Sequence, residues 1–267
     1  MSRAPRIVSL VPSLTELLFE LDLGEQLVGR TGFCIHPREA VRGVPKVGGT
    51  KDVDIEAVLA LAPTHLVVNV DENEKPTVER LARDIEHIVV THPLTAHDNL
   101  ALYAQFGQTF DRVPHAARLA QRMQAAIDRA RARQWAPLDA LYLIWKAPWM
   151  TVSNETYISD MLAQVGLRTI APESARRYPE IDWQDFPPSR ADVVLFSSEP
   201  YRFRERDARE FATEHGLPAW RCLTIDGEIS SWYGPRAIDG LDALVRLRES
   251  IDVAIDAAID ASGKSRG

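Results

Sequence analysis

Cysteine is scarce in this chain: Cys34 and Cys222 are the only two among 267 residues. Two thiols cannot build a disulfide scaffold, and their positions do not say whether they pair. No window approaches 18 consecutive apolar residues, so no membrane span is expected. No secretory signal opens the chain. The apolar run of "MSRAPRIVSLVPS" is short, stops at Pro12 and lacks a small-residue cleavage site. The chain therefore reads as cytoplasmic, or as periplasmic if a native signal has been removed. Positive charge is not in excess: the formal net charge is −7, which makes a nucleic-acid backbone an improbable main partner. Several enzyme signatures are also missing, among them a P-loop, G-x-G-x-x-G after a strand, G-x-S-x-G and H-E-x-x-H. Their absence removes the commonest enzymes and leaves others open.

What is present is an ordinary share of apolar (45%) and charged (26%) residues, enough for one large domain or two lobes. Strand and helix signals alternate. Ile7–Val11 reads as a buried strand. "SLTE" follows, with Ser13 and Glu16 spaced as a capping box ahead of Leu14, Leu17, Leu18 and Leu21 at helical spacing. "QLVGRT", "THLVVNV" and "HIVVT" read as further strands. "DIEAVLALAP" and "PTVERLARD" read as the helices between them. This order favours an α/β lobe with a mostly parallel sheet.

The middle of the chain differs. No Gly or Pro interrupts His115 to Trp135, and Leu119, Met123, Ile127 and Ala130 make one apolar stripe. A helix of about 20 residues, roughly 30 Å long, is expected here and nowhere else at that length. It is either an ordinary amphipathic helix or a rigid connector. Beyond it the alternation returns. "LDALYLIW", "ADVVLFSS" and "AWRCLTI" read as strands. "ETYISDMLAQVG", "ERDAREFATEHG" and "PRAIDGLDALVRLRESI" read as helices. The tail "ASGKSRG" reads as disordered.

In α/β sheets, ligands lie beyond the carboxyl ends of the strands. The loops at those ends hold Trp145, Trp149, Tyr157, Tyr201, Trp232 and Tyr233, with the polar groups Ser13, Lys146, Ser153, Asn154, Glu199 and Arg236. Rigid rings with a few hydrogen-bonding groups suit a large, planar, partly apolar ligand. The same rings also serve as loop anchors on a core.

Taken in order, "IVSLVPSLTELLFELDLGEQLVGRT", "VPKVGGTKDVDIEAVLALAPTHLVV", the long helix, "PWMTVSNETYISDMLAQVGL" and "WYGPRAIDGLDAL" resemble one family. It is the helical-backbone (class III) substrate-binding proteins of ABC importers for cobalamin and ferric siderophores, with the cobalamin branch most similar. The likeness runs over about residues 5–250. It implies an α/β fold of two lobes with mostly parallel sheets joined by one long helix: an N-terminal lobe at 1–112, a connecting helix at 113–136 and a C-terminal lobe at 137–267. It also implies a corrinoid, cobalamin-like ligand in an aromatic inter-lobe cleft, with no catalysis. Ligand contacts are then expected from Ser13, Cys34, His36, Trp145, Trp149, Tyr157, Glu199, Tyr201, Trp232, Tyr233 and Arg236. A ferric siderophore, haem or other metal chelate is the alternative cargo. Family members dock on an ABC permease through an acidic residue on each lobe. Here Glu72 or Glu74 falls near the first position, but Ser231 stands near the second. A cytoplasmic carrier, storage protein or sensor is expected instead.

Residues 30–37, "RTGFCIHP", place Cys34 and His36 one residue apart. An extended chain would point both to one side, and thiolate and imidazole both ligate transition metals. A metal-dependent enzyme built on Cys34, His36 and Glu199 is one reading. A catalytic Cys–His dyad is another. The others make Cys34 a small buried hydrophobe and His36 either a loop anchor or a contact to the ligand's polar edge or central metal. Arg236 is expected in the first turn of a helix, where a cation opposes the macrodipole. That position hints at an anionic partner, either the ligand or Glu199.

Overall fold

The computed structural model describes residues 4–262, which form two compact units. The first comprises the chain up to Pro93 with His97–Met123 and Tyr233–Pro235. The second comprises Leu94–Ala96, Gln124–Trp232 and the chain from Arg236 on. No helix among the described residues is long and apolar enough to cross a membrane.

The first unit runs β1 (Ile7–Ser9), α1 (Pro12–Glu20), β2 (Leu27–Arg30), α2 (Ile55–Ala60), β3 (His65–Asn69), α3 (Lys75–Leu81), β4 (His87–Thr91) and α4 (Asp98–Thr109). Its sheet has the order β2-β1-β3-β4, with every neighbouring pair parallel. Parallel strands covered on both faces need near-continuous apolar runs. Val8, Leu10, Leu66 and Val68 supply them, packing with Val58, Leu81 and Ile85 in one core cluster. The expected capping box is not formed. Pro12 takes the first helical position, where its missing N–H costs nothing, Val11 becomes the cap residue, and Ser13 is buried inside the helix. Asp54 does cap α2, accepting from the Ala57 N–H at 3.0 Å. The sequence reading misses α4. Gly107 is its distinctive residue, since a Cβ there would lie 2.6 Å from the Ala116 Cβ.

Ala116 belongs to α5 (Val113–Arg131), which begins in the first unit and from Gln124 on belongs to the second. Its buried residues include Leu119, Met123, Ile127 and Ala130, the stripe seen in the sequence. The helix ends before the expected 136. There the chain turns so that the Trp135 indole N–H donates to the Ala130 carbonyl at 2.8 Å, serving one of the orphan acceptors at a helix end.

The second unit contains β5 (Leu138–Trp145), β6 (Met150–Thr151), α6 (Tyr157–Ala163), β7 (Leu167–Thr169), β8 (Val193–Ser197), α7 (Glu205–Glu214), β9 (Cys222–Ile225), α8 (Gly227–Ser231) and α9 (Arg236–Ser262). The sheet runs β6-β5-β8-β9, with β7 also on β5. All pairings are parallel except the short β5–β6 ladder. The architecture is thus α/β with mostly parallel sheets and a long helix running from one unit into the other. At 27 residues α9 is longer than α5, so the expectation that no other segment reaches the length of α5 is corrected. It also takes in residues 261–262 of the tail read as disordered; the rest of that tail lies outside the described residues. Thr156 caps α6 by accepting from the Ser159 N–H, and Gly166 lies just past its end at φ +71°.

Candidate functional site

Within each sheet the parallel strands end at one edge, and the expected site residues gather at those edges. In the first unit the octapeptide 30–37 follows β2. Beyond Arg30 it has no regular secondary structure, with a turn at Gly32 and Phe33. Cys34 is fully buried, with its Sγ 3.2 Å from the Thr31 hydroxyl. Burial pushes its thiol pKa up. A neutral, enclosed thiol is neither a ligand contact nor a nucleophile, and the readings that give Cys34 those roles are corrected. His36 stays half-buried at the edge. Among the described residues no three His, Cys, Asp or Glu side chains come together as a metal-binding set.

Tyr233 belongs to the first unit, where it is buried and its hydroxyl donates to the Glu72 carboxylate. Burial, reinforced by that negative charge, holds the phenol well above its usual range. Ser13 lies beside it and is also buried. Glu72, one of the two expected docking acids, is therefore engaged by Tyr233, whereas Glu74 is exposed at the start of α3. Next to Tyr233, the Gly234 N–H donates to Asn99 at 2.6 Å, and the Gly234 carbonyl accepts from Tyr103 at 2.9 Å.

The second unit's edge is aromatic and acidic. Trp145, at the end of β5, is 39% exposed and meets Tyr201 edge-on at 5.7 Å between ring centroids. Tyr201 packs in turn on Phe203 at 4.6 Å. Trp149 is placed differently. It stacks on Phe203 and meets Trp183 and Phe211 edge-on, packed against the core cluster of the unit, so it acts as a loop anchor. Tyr157 is likewise mostly buried, in the first turn of α6. Lys146 bonds to Asp207 at 3.3 Å. Asn154 lines a cavity of about 820 Å³ together with Asp160, Arg168, Thr169 and Arg177; Trp145 and Tyr201 take no part in it.

Glu199 follows β8. Its Oε1 accepts from the Ser231 hydroxyl at 2.9 Å and from the Trp232 indole N–H at 2.8 Å. Burial pushes its carboxyl pKa up, these two donors opposing the shift. A buried hydroxyl network lies beneath it: Tyr142 reaches Ser197 at 3.0 Å and Ser230 at 2.8 Å, and Ser197 donates to the Glu199 carbonyl at 2.6 Å. Burial lifts the Tyr142 phenol to about 12, so it remains a neutral donor. Arg236 pairs with Glu228 at 2.9 Å and lies 5.0 Å over the Trp232 ring. The anion hinted at by its place in the helix is thus Glu228, and the pairing with Glu199 considered from sequence is corrected.

The sequence reading passed over Phe33 and Ile35. They sit at the first unit's edge with 63% and 46% exposure, among the few large apolar side chains in water. The available signal was their position on either side of Cys34: burying that thiol turns its two neighbours outward.

The fold is shared with solved periplasmic binding proteins. The periplasmic vitamin B12 binding protein BtuF of Vibrio cholerae superposes with a TM-score of 0.78 at 19% identity, covering 93% of this chain and 98% of that one. The haem-binding protein RhuT of Roseiflexus sp. RS-1 gives 0.78 at 20% identity, with the same two coverages. By sequence, the vitamin B12-binding protein of Pectobacterium atrosepticum is 27% identical over 184 residues, spanning 66% of this chain and 65% of that relative. The corresponding protein of Vibrio parahaemolyticus is 23% identical over 251 residues, 92% of this chain and 89% of that relative. Residues 7–221 match the periplasmic binding protein family, and the chain belongs to it.

Proposed function

We propose that this protein binds a planar metal chelate, with a corrinoid as the first candidate, and carries out no chemistry on it. The observation that carries the reading is the second unit's edge. An exposed indole, Trp145, is braced by Tyr201 and Phe203 beside a carboxylate held by two donors. A rigid ring face with a few fixed polar groups is what a flat, partly apolar ligand needs. The vitamin B12-binding relatives support the corrinoid. A second reading, haem, is supported by neighbours of the same fold, including BhuT, solved with two haems (TM-score 0.76). Cyanocobalamin and haem, each titrated into the purified protein and followed by absorbance and calorimetry, test the proposal. Binding of at least one at micromolar concentrations or below is expected. Trp145→Ala should weaken it about tenfold, the loss of roughly 1–1.5 kcal/mol of ring stacking. No binding of either at high micromolar concentrations would refute the reading.

A further inference from the structure

We infer that the second unit's carboxyl edge selects chelates rimmed with neutral amides over chelates rimmed with carboxylates, and that Glu199 makes the selection. The inference rests on the proposed binding of a metal chelate and adds the chemistry of the ligand's periphery.

The argument starts from the two oxygens of Glu199. Oε1 takes both protein donors, Ser231 and Trp232, and Oε2 takes none. The side chain is also held in place: a Cβ on Gly227 would lie 2.5 Å from the Glu199 Cγ, so the carboxylate lies tightly along the start of α8. Its own backbone is tied to Ser197 from both sides. Oε2 is therefore a fixed acceptor whose remaining partner must come from outside the protein.

The surrounding charges favour one kind of partner. Lys146 is paired with Asp207, and Arg236 with Glu228. Asp226 is occupied in capping α8 through the Glu228 N–H and accepts from Ser198. No cation among the described residues pairs with Glu199 or Asp226, so neither carboxylate is neutralised by an ion pair. An amide N–H approaching Oε2 gains a charge-assisted hydrogen bond; a carboxylate there meets like charge. A corrin ring carries amide side chains at its periphery, whereas haem carries two propionates. The same edge that stacks either ring thus distinguishes them by their rims.

A matched pair isolates this effect: dicyanocobinamide, with amide side chains, and dicyanocobyrinic acid, with the same ring and carboxylates in their place. Dissociation constants are measured at about pH 8, on the alkaline side that favours the carboxylate form. The wild type should prefer the amide form by at least about tenfold. Glu199→Gln should reduce that ratio about tenfold, and Glu199→Asp, which keeps the charge, should retain most of it. Trp145→Ala should weaken both ligands by a similar factor and leave the ratio alone. Thermal melts establish that each variant is folded. A ratio that Glu199→Gln leaves unmoved overturns the inference even where the wild type prefers amides, because the preference then comes from overall charge; binding of a chelate itself would still stand. If the wild type binds neither corrin nor haem, the binding reading falls and this inference with it.

Discussion

Among the described residues each unit buries one arginine, and the two are satisfied in different ways. Arg30, 5% exposed, donates only to carbonyls: Val41 at 2.9 Å, Thr31 at 3.1 Å and Cys34 at 3.0 Å. Arg248, 1% exposed, donates to the Val165 and Ala136 carbonyls at 3.0 and 2.7 Å, and also pairs with Asp252 at 3.0 Å. The first guanidinium shapes a loop, because its three acceptors lie in the octapeptide and the turn beyond it. The second ties α9 to the segments entering β5 and β7, and its charge is compensated. A buried cation without a carboxylate is stable only where several carbonyl dipoles converge on it, so Arg30 fixes loop geometry and Arg248 fixes helix placement.

The largest expected effect breaks this comparison directly. Arg248→Met leaves two buried carbonyls and Asp252 without their partner and should cost about 3–5 kcal/mol. Arg30→Met leaves carbonyls only and should cost less, about 2–3 kcal/mol. Urea melts followed by circular dichroism rank the two. The comparison fails if Arg30→Met proves the more damaging. Next in size is the packing of α4 on α5. Gly107→Val drives a branched side chain against Ala116 and should lower stability by about 1–3 kcal/mol, whereas Gly43→Ala, at an exposed position with open space around it, should cost less. A comparable loss for both would mean that crowding against Ala116 does not set the cost at Gly107.

Glu199 gives a smaller, pH-dependent effect. Its folded-state pKa is raised above the ordinary 4.5 by burial. Its contribution to stability is thus present in full below the unfolded value and is lost as pH rises through the raised folded value. Glu199→Gln should therefore raise the melting temperature near pH 8 and give no gain near pH 4. A gain that is the same at both pH values would show that the effect is not ionisation. The smallest effect concerns the thiols. Cys34 is neutral and buried, and burial lifts Cys222 to about 11. Neither should react with Ellman's reagent in the native protein, and both should react in urea. Rapid native labelling would contradict the burial of the two thiols.

How far the site could be read from sequence varies residue by residue. Trp145 and Tyr201 were legible because a strand signal ended beside them, and strand ends put their next residues at the sheet edge. Trp149 belonged to the same loop and looked the same, yet it packs against Phe203 and Trp183, a choice made by neighbours distant in the chain. Cys34 and His36 looked like a pair because they stand one residue apart, but the fold encloses the thiol and leaves the imidazole half-buried. α4 was missed because its first residues carry no cap signal, and its close approach to α5 becomes visible only when Gly107 meets Ala116.

By itself, the sequence determined the α/β alternation, the parallel sheets, the stripe of α5 and the family likeness. Each is a local or ordered pattern set by hydrophobic period and chain punctuation. Tertiary structure alone decided which rings face water, that Arg236 pairs with Glu228, and that one oxygen of Glu199 is taken while the other stays open. Those outcomes depend on groups that meet across tens of residues, and no period along the chain records which donor arrives first.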